Sequence, residues 1–318
     1  MPSSRHLVDP LLDRILEALP VLAVTSESLP GIRAAVAERY AKVGDEPDPA
    51  VTTATLHVPG PAGPVRVLAY RPAVADAPLP VILHMHGGGF VMGFPELADA
   101  EHRRLVKELG VAIYSVDYRL APEAVYPGQL DDGYAVLGWL HENAADLGLD
   151  PARIGLKGES AGGCLAAALA LAARDRGGPP VAFQILTFPA LDDRTGSTAE
   201  PHPYCGEFVW TGAFNRFGWS SLLGSEPGGA RTLPHAAPAR AQNLEHLPPA
   251  YIAVGALDLY LDEDLEYARR LVHAGVPVEL HVYPGAIHGF SHVPGSWIER
   301  NSERDLADAI GRFVVTRA

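Results

Sequence analysis

The sequence predicts an α/β protein with a mostly parallel central sheet flanked by helices. Three observations carry this expectation. From residue 80 onward, short apolar runs of strand length alternate with longer segments of helical periodicity, the pattern of βαβ crossovers. The glycine-rich stretches 86–89 and 158–162 each follow such an apolar run, so loops open at strand ends. The chain has 318 residues, 47% hydrophobic and 20% charged, enough to bury one large α/β domain or two small ones.

Taken in order, residues 1 to about 40 read as helical. Leu7, Leu11, Leu12, Ile15, Leu16 and Leu19 recur at helical spacing. Pro30-Gly31 marks a break, and a second helix is expected over 32–43. Residues 44–50 are turn-rich. The period then changes to two, and 53–58 and 65–70 read as strands joined through the Pro/Gly segment 59–64, an antiparallel hairpin. Further strands are expected at 81–84, 111–116, 153–157, 182–188, 250–255 and 278–283. Helices are expected at 98–109, 130–143, 163–175, 262–274 and 302–315. Residues 192–248 break the rhythm with many Pro, Gly and aromatic residues and read as an insertion. The expected organisation is an N-terminal helical segment, 1–50, and a catalytic domain, 51–318, that contains this insertion.

Composition narrows the function. With 25 Lys and Arg against 38 Asp and Glu, the net charge is −13. Such a surface argues against nucleic acid and against docking on anionic lipid. Two cysteines, Cys164 and Cys205, exclude a disulfide framework and any CxxC metal or redox pair. The N-terminus carries Asp9 and Asp13 and no apolar core of a signal peptide. No run of about 18 apolar residues provides a membrane span. These absences read as a cytoplasmic protein that needs neither metal nor cofactor and acts on a small molecule.

The strongest local signal is Gly158-Glu159-Ser160-Ala161-Gly162, set between an apolar strand and an Ala/Leu-rich helix. A nucleophilic serine on a sharp strand-to-helix turn needs small neighbours, because other backbone approaches closely there. The same turn puts the N–H of Ala161 at a helix N-terminus, where negative charge is favoured. The second signal is His86-Gly87-Gly88-Gly89-Phe90, directly after a strand. Three successive glycines cost backbone entropy, and a loop whose N–H groups converge on one developing oxyanion justifies them. A phosphate cradle fits less well, since no GxxxxGK[ST] occurs.

A nucleophilic serine needs a base, and the base an orienting carboxylate. Asp258 follows the strand at 250–255, and His288 follows the strand at 278–283, so both belong to loops at strand C-terminal ends. His292 is an alternative base. Asp262 and Asp264 compete with Asp258 but fall at a helix start, where they read as N-terminal charge partners. His281 lies within a strand and His273 on a helix, and neither reads as catalytic. Cys164, behind the serine, reads as a small buried filler. Of the aromatic residues in the insertion, Phe208, Trp210, Phe214, Phe217 and Trp219, some are expected to line a pocket and the rest to form core.

Together these residues resemble the hormone-sensitive-lipase-like group of α/β-hydrolases, the bacterial family IV esterases. Five features agree in order and spacing: HGGGF at 86–90, DYRLAPE at 117–123 followed by Tyr126-Pro127, GESAG at 158–162, Asp258 in GALDLYLDED, and HGF at 288–290. The resemblance implies an α/β-hydrolase fold with a helical cap built from the N-terminal helices and part of the insertion. It implies Ser160 as nucleophile, His288 as general base and acid, and Asp258 as its orienting carboxylate. It implies an oxyanion hole from the N–H groups of Gly88, Gly89 and Ala161, with His86 holding the glycine loop. It also suggests a homodimer through the sheet edge at 278–283. One departure stands out: Glu159 precedes the nucleophile where the larger subgroup has Asp. The expected activity is a serine carboxylesterase acting on short- to medium-chain esters. An amidase, lactonase or deacetylase on the same site, or a non-catalytic small-ligand binder, are the other readings.

Overall fold

The computed structural model describes residues 3–18, 24–41, 48–199 and 202–315. Eight strands form one sheet: β1 (Val51–Val58), β2 (Val65–Pro72), β3 (Leu79–Met85), β4 (Ala112–Asp117), β5 (Leu149–Glu159), β6 (Gln184–Thr187), β7 (Ala250–Gly255) and β8 (Val278–Tyr283). Their spatial order is β1-β2-β4-β3-β5-β6-β7-β8. β1 and β2 form the expected antiparallel hairpin, Val51 opposite Pro72 and Val58 opposite Val65, and β2 joins β4 antiparallel. Every pairing from β4 to β8 is parallel.

Parallel strands need crossovers, and the crossover helices cover both sheet faces. That explains why all seven residues of β3 are buried and why its sequence, LPVILHM, does not alternate with polar residues on one face. Val81, Leu83 and Met85 join a core with α4 (Gly128–Glu142), α5 (Ala161–Asp175) and α7 (Leu261–His273). Ile82 points the other way, into a core with α3 (Asp99–Leu109) and α8 (Trp297–Val315). Within α5, thirteen consecutive residues from Ala161 to Ala173 are buried, which their small side chains permit between the sheet and neighbouring helices. No described helix is long and apolar enough to cross a membrane.

Three differences from the sequence-based expectation have local causes. The first helical segment is a 3₁₀ turn, Arg5–Leu7, followed by α1 (Pro10–Ala18); Leu19 lies outside the described residues. Pro30-Gly31 is no break but the first turn of α2 (Leu29–Tyr40), where proline has no helical N–H bond to lose. The expected end at Val43 lies outside the described residues. The last helix starts at Trp297 rather than 302 because Ser296 Oγ accepts the Glu299 N–H at 2.9 Å, while the Glu299 side chain accepts the Gly295 N–H at 2.6 Å. Residues 192–248 contain α6 (Gly212–Leu223), started by the Thr211 hydroxyl, and a 3₁₀ turn at Pro238–Arg240. Asp193, fully buried, ties this stretch together: it pairs with Arg240 and accepts from Gly228 N and Thr232 Oγ1.

Candidate active site

The site begins at the end of β5. Ser160 has φ 54° and ψ −120°, a left-handed conformation that a side chain adopts at a cost of about 1–3 kcal/mol. The surroundings hold it there. Its N–H donates to Thr187 O at 2.9 Å, and its carbonyl accepts from Ala190 N at 3.0 Å. The flanking glycines are a matter of space. A Cβ on Gly158 would lie 2.1 Å from Gly162 O, and one on Gly162 would lie 2.0 Å from Met85 O. The GxSxG spacing therefore follows from two close approaches, the end of β5 against the first turn of α5 and that turn against β3.

The structure brings Ser160, His288 and Asp258 together. Ser160 Oγ is 3.0 Å from His288 Nε2, and His288 Nδ1 is 2.9 Å from Asp258 Oδ2. The other carboxylate oxygen, Oδ1, accepts the Tyr260 N–H at 3.0 Å. An ionised carboxylate only accepts, so Nδ1 carries the proton and Nε2 presents its lone pair to the serine hydroxyl. Asp258 is fully buried, and Ser160 and His288 nearly so. Three rings surround the imidazole: Phe188 and Tyr260 meet it edge-on with centroids at 4.8 and 5.2 Å, and Trp210 lies at 6.0 Å. The imidazole thus has little freedom to turn away from Ser160.

The competing acids fall elsewhere. Asp262 is exposed on the first turn of α7. Glu263, which the sequence did not single out, accepts the N–H groups of Leu191 and Asp192 at 2.6 and 3.1 Å and the Thr195 hydroxyl, and so shapes the segment after β6. Asp264, expected as an N-terminal charge partner at the helix start, takes a different place. It is fully buried, and neither carboxyl oxygen has a hydrogen-bond partner among the described residues. Burial, with the nearby Glu263 and Asp258, pushes its pKa well above the carboxylate range. The backbone of His292 belongs to a 3₁₀ turn after His288.

The glycine loop starts where β3 ends. Gly88 and Gly89 both have positive φ, at 124° and 59°. His86 stacks on Tyr118 with ring centroids 4.1 Å apart, and its Nδ1 lies 2.8 Å from Gly87 O. Burial pushes the His86 pKa down to about 4, so the neutral ring donates from Nδ1 and pins the loop. The Tyr118 hydroxyl donates to His86 O at 2.7 Å. This tyrosine belongs to the DYRLAPE motif, whose Arg119 pairs with the buried Asp132. Arg33 on α2 donates to Val91 O at 2.6 Å and Ala121 O at 2.8 Å, and pairs with Glu123. One arginine thereby fastens α2 to the loop.

Ser160, His288 and Gly87–Gly89 open onto a cavity of about 380 Å³. Val36 and Tyr40 of α2, with Met92, Phe188, Val209 and Trp210, supply most of its apolar wall. Of the five aromatic residues singled out in the insertion, Trp210 lines the cavity. Trp219 is core, packed on Phe90 at 5.0 Å, and Phe208, Phe214 and Phe217 pack against buried neighbours. Phe188 and the α2 side chains carried no sequence signal, since only chain crossings bring them to Ser160. Among the described residues, no group of three or more His, Cys, Asp or Glu is arranged to hold a metal ion.

Comparison with known proteins bears on the fold and on the class of activity. A family model described as the α/β hydrolase fold matches residues 82–292. Esterase LipI of Mycobacterium tuberculosis is 37% identical over 290 residues, covering 89% of this chain and 88% of the relative. Carboxylesterase NlhH of the same species is 34% identical, covering 90% of each chain. Among solved structures, a bacterial heroin esterase superposes with a TM-score of 0.91 at 38% identity, covering 98% of this chain and 99% of the other. Esterase LipW from Mycobacterium marinum superposes with a TM-score of 0.87 at 35% identity, covering 98% of each chain.

Proposed function

Because the chain belongs to the α/β-hydrolase family, in its hormone-sensitive-lipase-like group, we propose that it is a serine carboxylesterase that cleaves short- to medium-chain esters through an acyl-enzyme. It is an ester-hydrolysing enzyme, like its relatives. In our reading Ser160 Oγ attacks the ester carbonyl while His288 Nε2 takes the hydroxyl proton. The carbonyl oxygen gains the electron pair and faces the N–H groups of Gly88, Gly89 and Ala161. Each such donor is worth about 10²–10³ in rate. The tetrahedral adduct collapses, the alcohol leaves with the proton from His288, and a water activated by the same nitrogen releases the acid. Asp258 holds the imidazole and offsets its charge.

The observation that carries this reading is the unbroken Ser160–His288–Asp258 hydrogen-bond chain beside the cavity. The modest volume of that cavity supports short acyl chains. We take 1–50 and 192–248 as a cap, because Val36 and Tyr40 from one and Val209 and Trp210 from the other wall the cavity. A homodimer through β8 is supported by Leu280 and Val282, both exposed on that edge strand. Two buried free thiols support a reducing compartment such as the cytoplasm.

The test is hydrolysis of p-nitrophenyl acetate, butyrate, octanoate and palmitate, with and without a serine-reactive phosphonate. We expect phosphonate-sensitive turnover that peaks at butyrate or octanoate, an adduct on Ser160 by mass spectrometry, and loss of turnover in Ser160→Ala. Turnover that survives in Ser160→Ala would end the proposal. A preference for anilides or lactones over esters would move the enzyme to another acyl-hydrolase class.

A further inference from the structure

Beneath the elbow lies a row of polar side chains that the triad does not use. Ser115, His84 and Lys157 are direct cross-strand neighbours on β4, β3 and β5, so all three point to the same sheet face. Glu159 is two residues beyond Lys157 and shares that face. His84 and Lys157 are fully buried, and the Glu159 side chain is 9% exposed. Glu159 Oε1 pairs with the Lys157 ammonium, and Oε2 is 2.8 Å from His84 Nε2. His84 Nδ1 is 2.8 Å from Ser115 Oγ. From α3, Glu101 Oε1 lies 2.6 Å from Lys157 Nζ, and the His102 ring meets His84 edge-on at 4.4 Å. Burial and the Lys157 charge push the His84 pKa well below its ordinary value, so the ring is neutral. Because the carboxylate only accepts, His84 donates from Nε2, and its Nδ1 accepts a hydrogen bond from the Ser115 hydroxyl.

Buried ion pairs are poor stabilisers, and apolar groups of equal volume do as well or better. The position of this one suggests another use. Glu159 immediately precedes Ser160. His84 comes two residues before His86, where the glycine loop begins. Loop and elbow also touch directly: a Cβ on Gly87 would sit 3.1 Å from Glu159 O. We propose that the Glu159–His84 hydrogen bond, held from behind by Lys157 and Ser115, is a positioning clamp that sets the nucleophile elbow against the glycine loop. This rests on the reading of Ser160 as nucleophile and Gly88 and Gly89 as oxyanion donors. Both clamp residues also border the cavity, so the clamp lies against the reacting groups rather than at a distance. Glutamate rather than aspartate at 159 supplies the reach to two partners on different strands.

The experiment compares Glu159→Gln, and the double variant His84→Leu with Ser115→Ala, against the wild type. The readouts are kcat and KM for p-nitrophenyl butyrate, the rate of Ser160 phosphonylation, and thermal unfolding. An amide at 159 cannot accept from both Lys157 and His84, so one contact opposes two donors. The double variant keeps the Glu101–Lys157–Glu159 charges and removes only the tie to β3 and β4. Each folded variant is expected to lose about 10²-fold in kcat and in phosphonylation rate, the cost of misplacing reacting groups by about 1 Å, with KM little changed. A purely structural cluster would lower the melting temperature and leave kcat per titrated serine at the wild-type value, which would overturn the proposal. If Glu159→Gln does not fold, the double variant decides on the same criterion. Failure of the wild type itself to react with phosphonate would instead remove the nucleophile reading on which the clamp depends.

Discussion

Replacing Asp258 by Asn tests the proton geometry directly. Asp258 Oδ1 already accepts the Tyr260 N–H at 3.0 Å. In the variant the amide oxygen keeps that bond, since an NH₂ there would face another donor. The NH₂ group therefore takes the place of Oδ2, 2.9 Å from His288 Nδ1. Nδ1 must then accept, which moves the ring proton to Nε2, the nitrogen 3.0 Å from Ser160 Oγ. A base whose facing nitrogen is protonated cannot take the serine proton. General-base assistance contributes about 10²–10⁴ in rate, and the same change in a serine protease triad costs about 10⁴. We expect kcat/KM for p-nitrophenyl butyrate to fall by about 10³–10⁴, which is ~4–5.5 kcal/mol of barrier. The substitution is nearly isosteric, so circular dichroism and melting temperature should change little. A folded Asp258→Asn enzyme within tenfold of wild type would refute the tautomer argument and, with it, the role of Asp258.

Three further outcomes follow from the geometry. Gly89→Ala places a methyl group 2.2 Å from Trp210 Cη2 at a φ of 59°; displacement of the loop should cut kcat/KM by about 10²-fold or more, read by the same ester assay. Arg33→Ala removes the main-chain bonds that tie α2 to Val91, just after the glycine loop, and to Ala121; because α2 walls the cavity without touching the triad, KM should rise by about tenfold, ~1.4 kcal/mol, with kcat little altered. Asp264→Asn concerns stability. The Asp264 pKa is raised on folding, so the native carboxyl holds its proton after the unfolded one has lost it near 3.9, and wild-type stability falls as pH rises above that value. Asn removes this loss, so in urea unfolding the variant should gain stability relative to wild type as pH rises from 4 to 8, with the difference shrinking toward pH 4. An equal difference at both pH values would contradict a neutral Asp264.

Period and spacing made most of the fold legible. Alternating strand and helix segments from residue 80 onward correspond to β3 through α8, and the hairpin of β1 and β2 lies where the period-two runs placed it. These patterns are local: burial on both faces demands continuous apolar strands, and the sharp turn at Ser160 demands glycines where an added Cβ would meet backbone within 2–3 Å. The same local logic pointed to Ser160, Asp258 and His288, each on a turn just past a strand. Local signals were weaker at element ends. Pro30-Gly31 read as a stop because the residues around it do not reveal that it opens a helix, and the Ser296–Glu299 cap sets a helix start ahead of the expected 302.

Contacts between distant segments follow a different logic. Asp264 read as a helix-start charge partner, because only the packing of α7 against the sheet removes it from water. The cavity wall joins residues as far apart as Val36, Phe188 and Trp210, and no periodicity encodes which side of an irregular segment faces Ser160. The partners of Glu159 show the same limit. The sequence puts an acid before Ser160 and a lysine two residues earlier, but the sheet order β4-β3-β5 brings Ser115 and His84 alongside them. Residue types and spacings thus determine elements and their reactive turns, since those depend on neighbours in the chain. Burial, cavity shape and the charges that meet across strands depend on neighbours in space, and come into being when the sheet assembles and its helices pack on it.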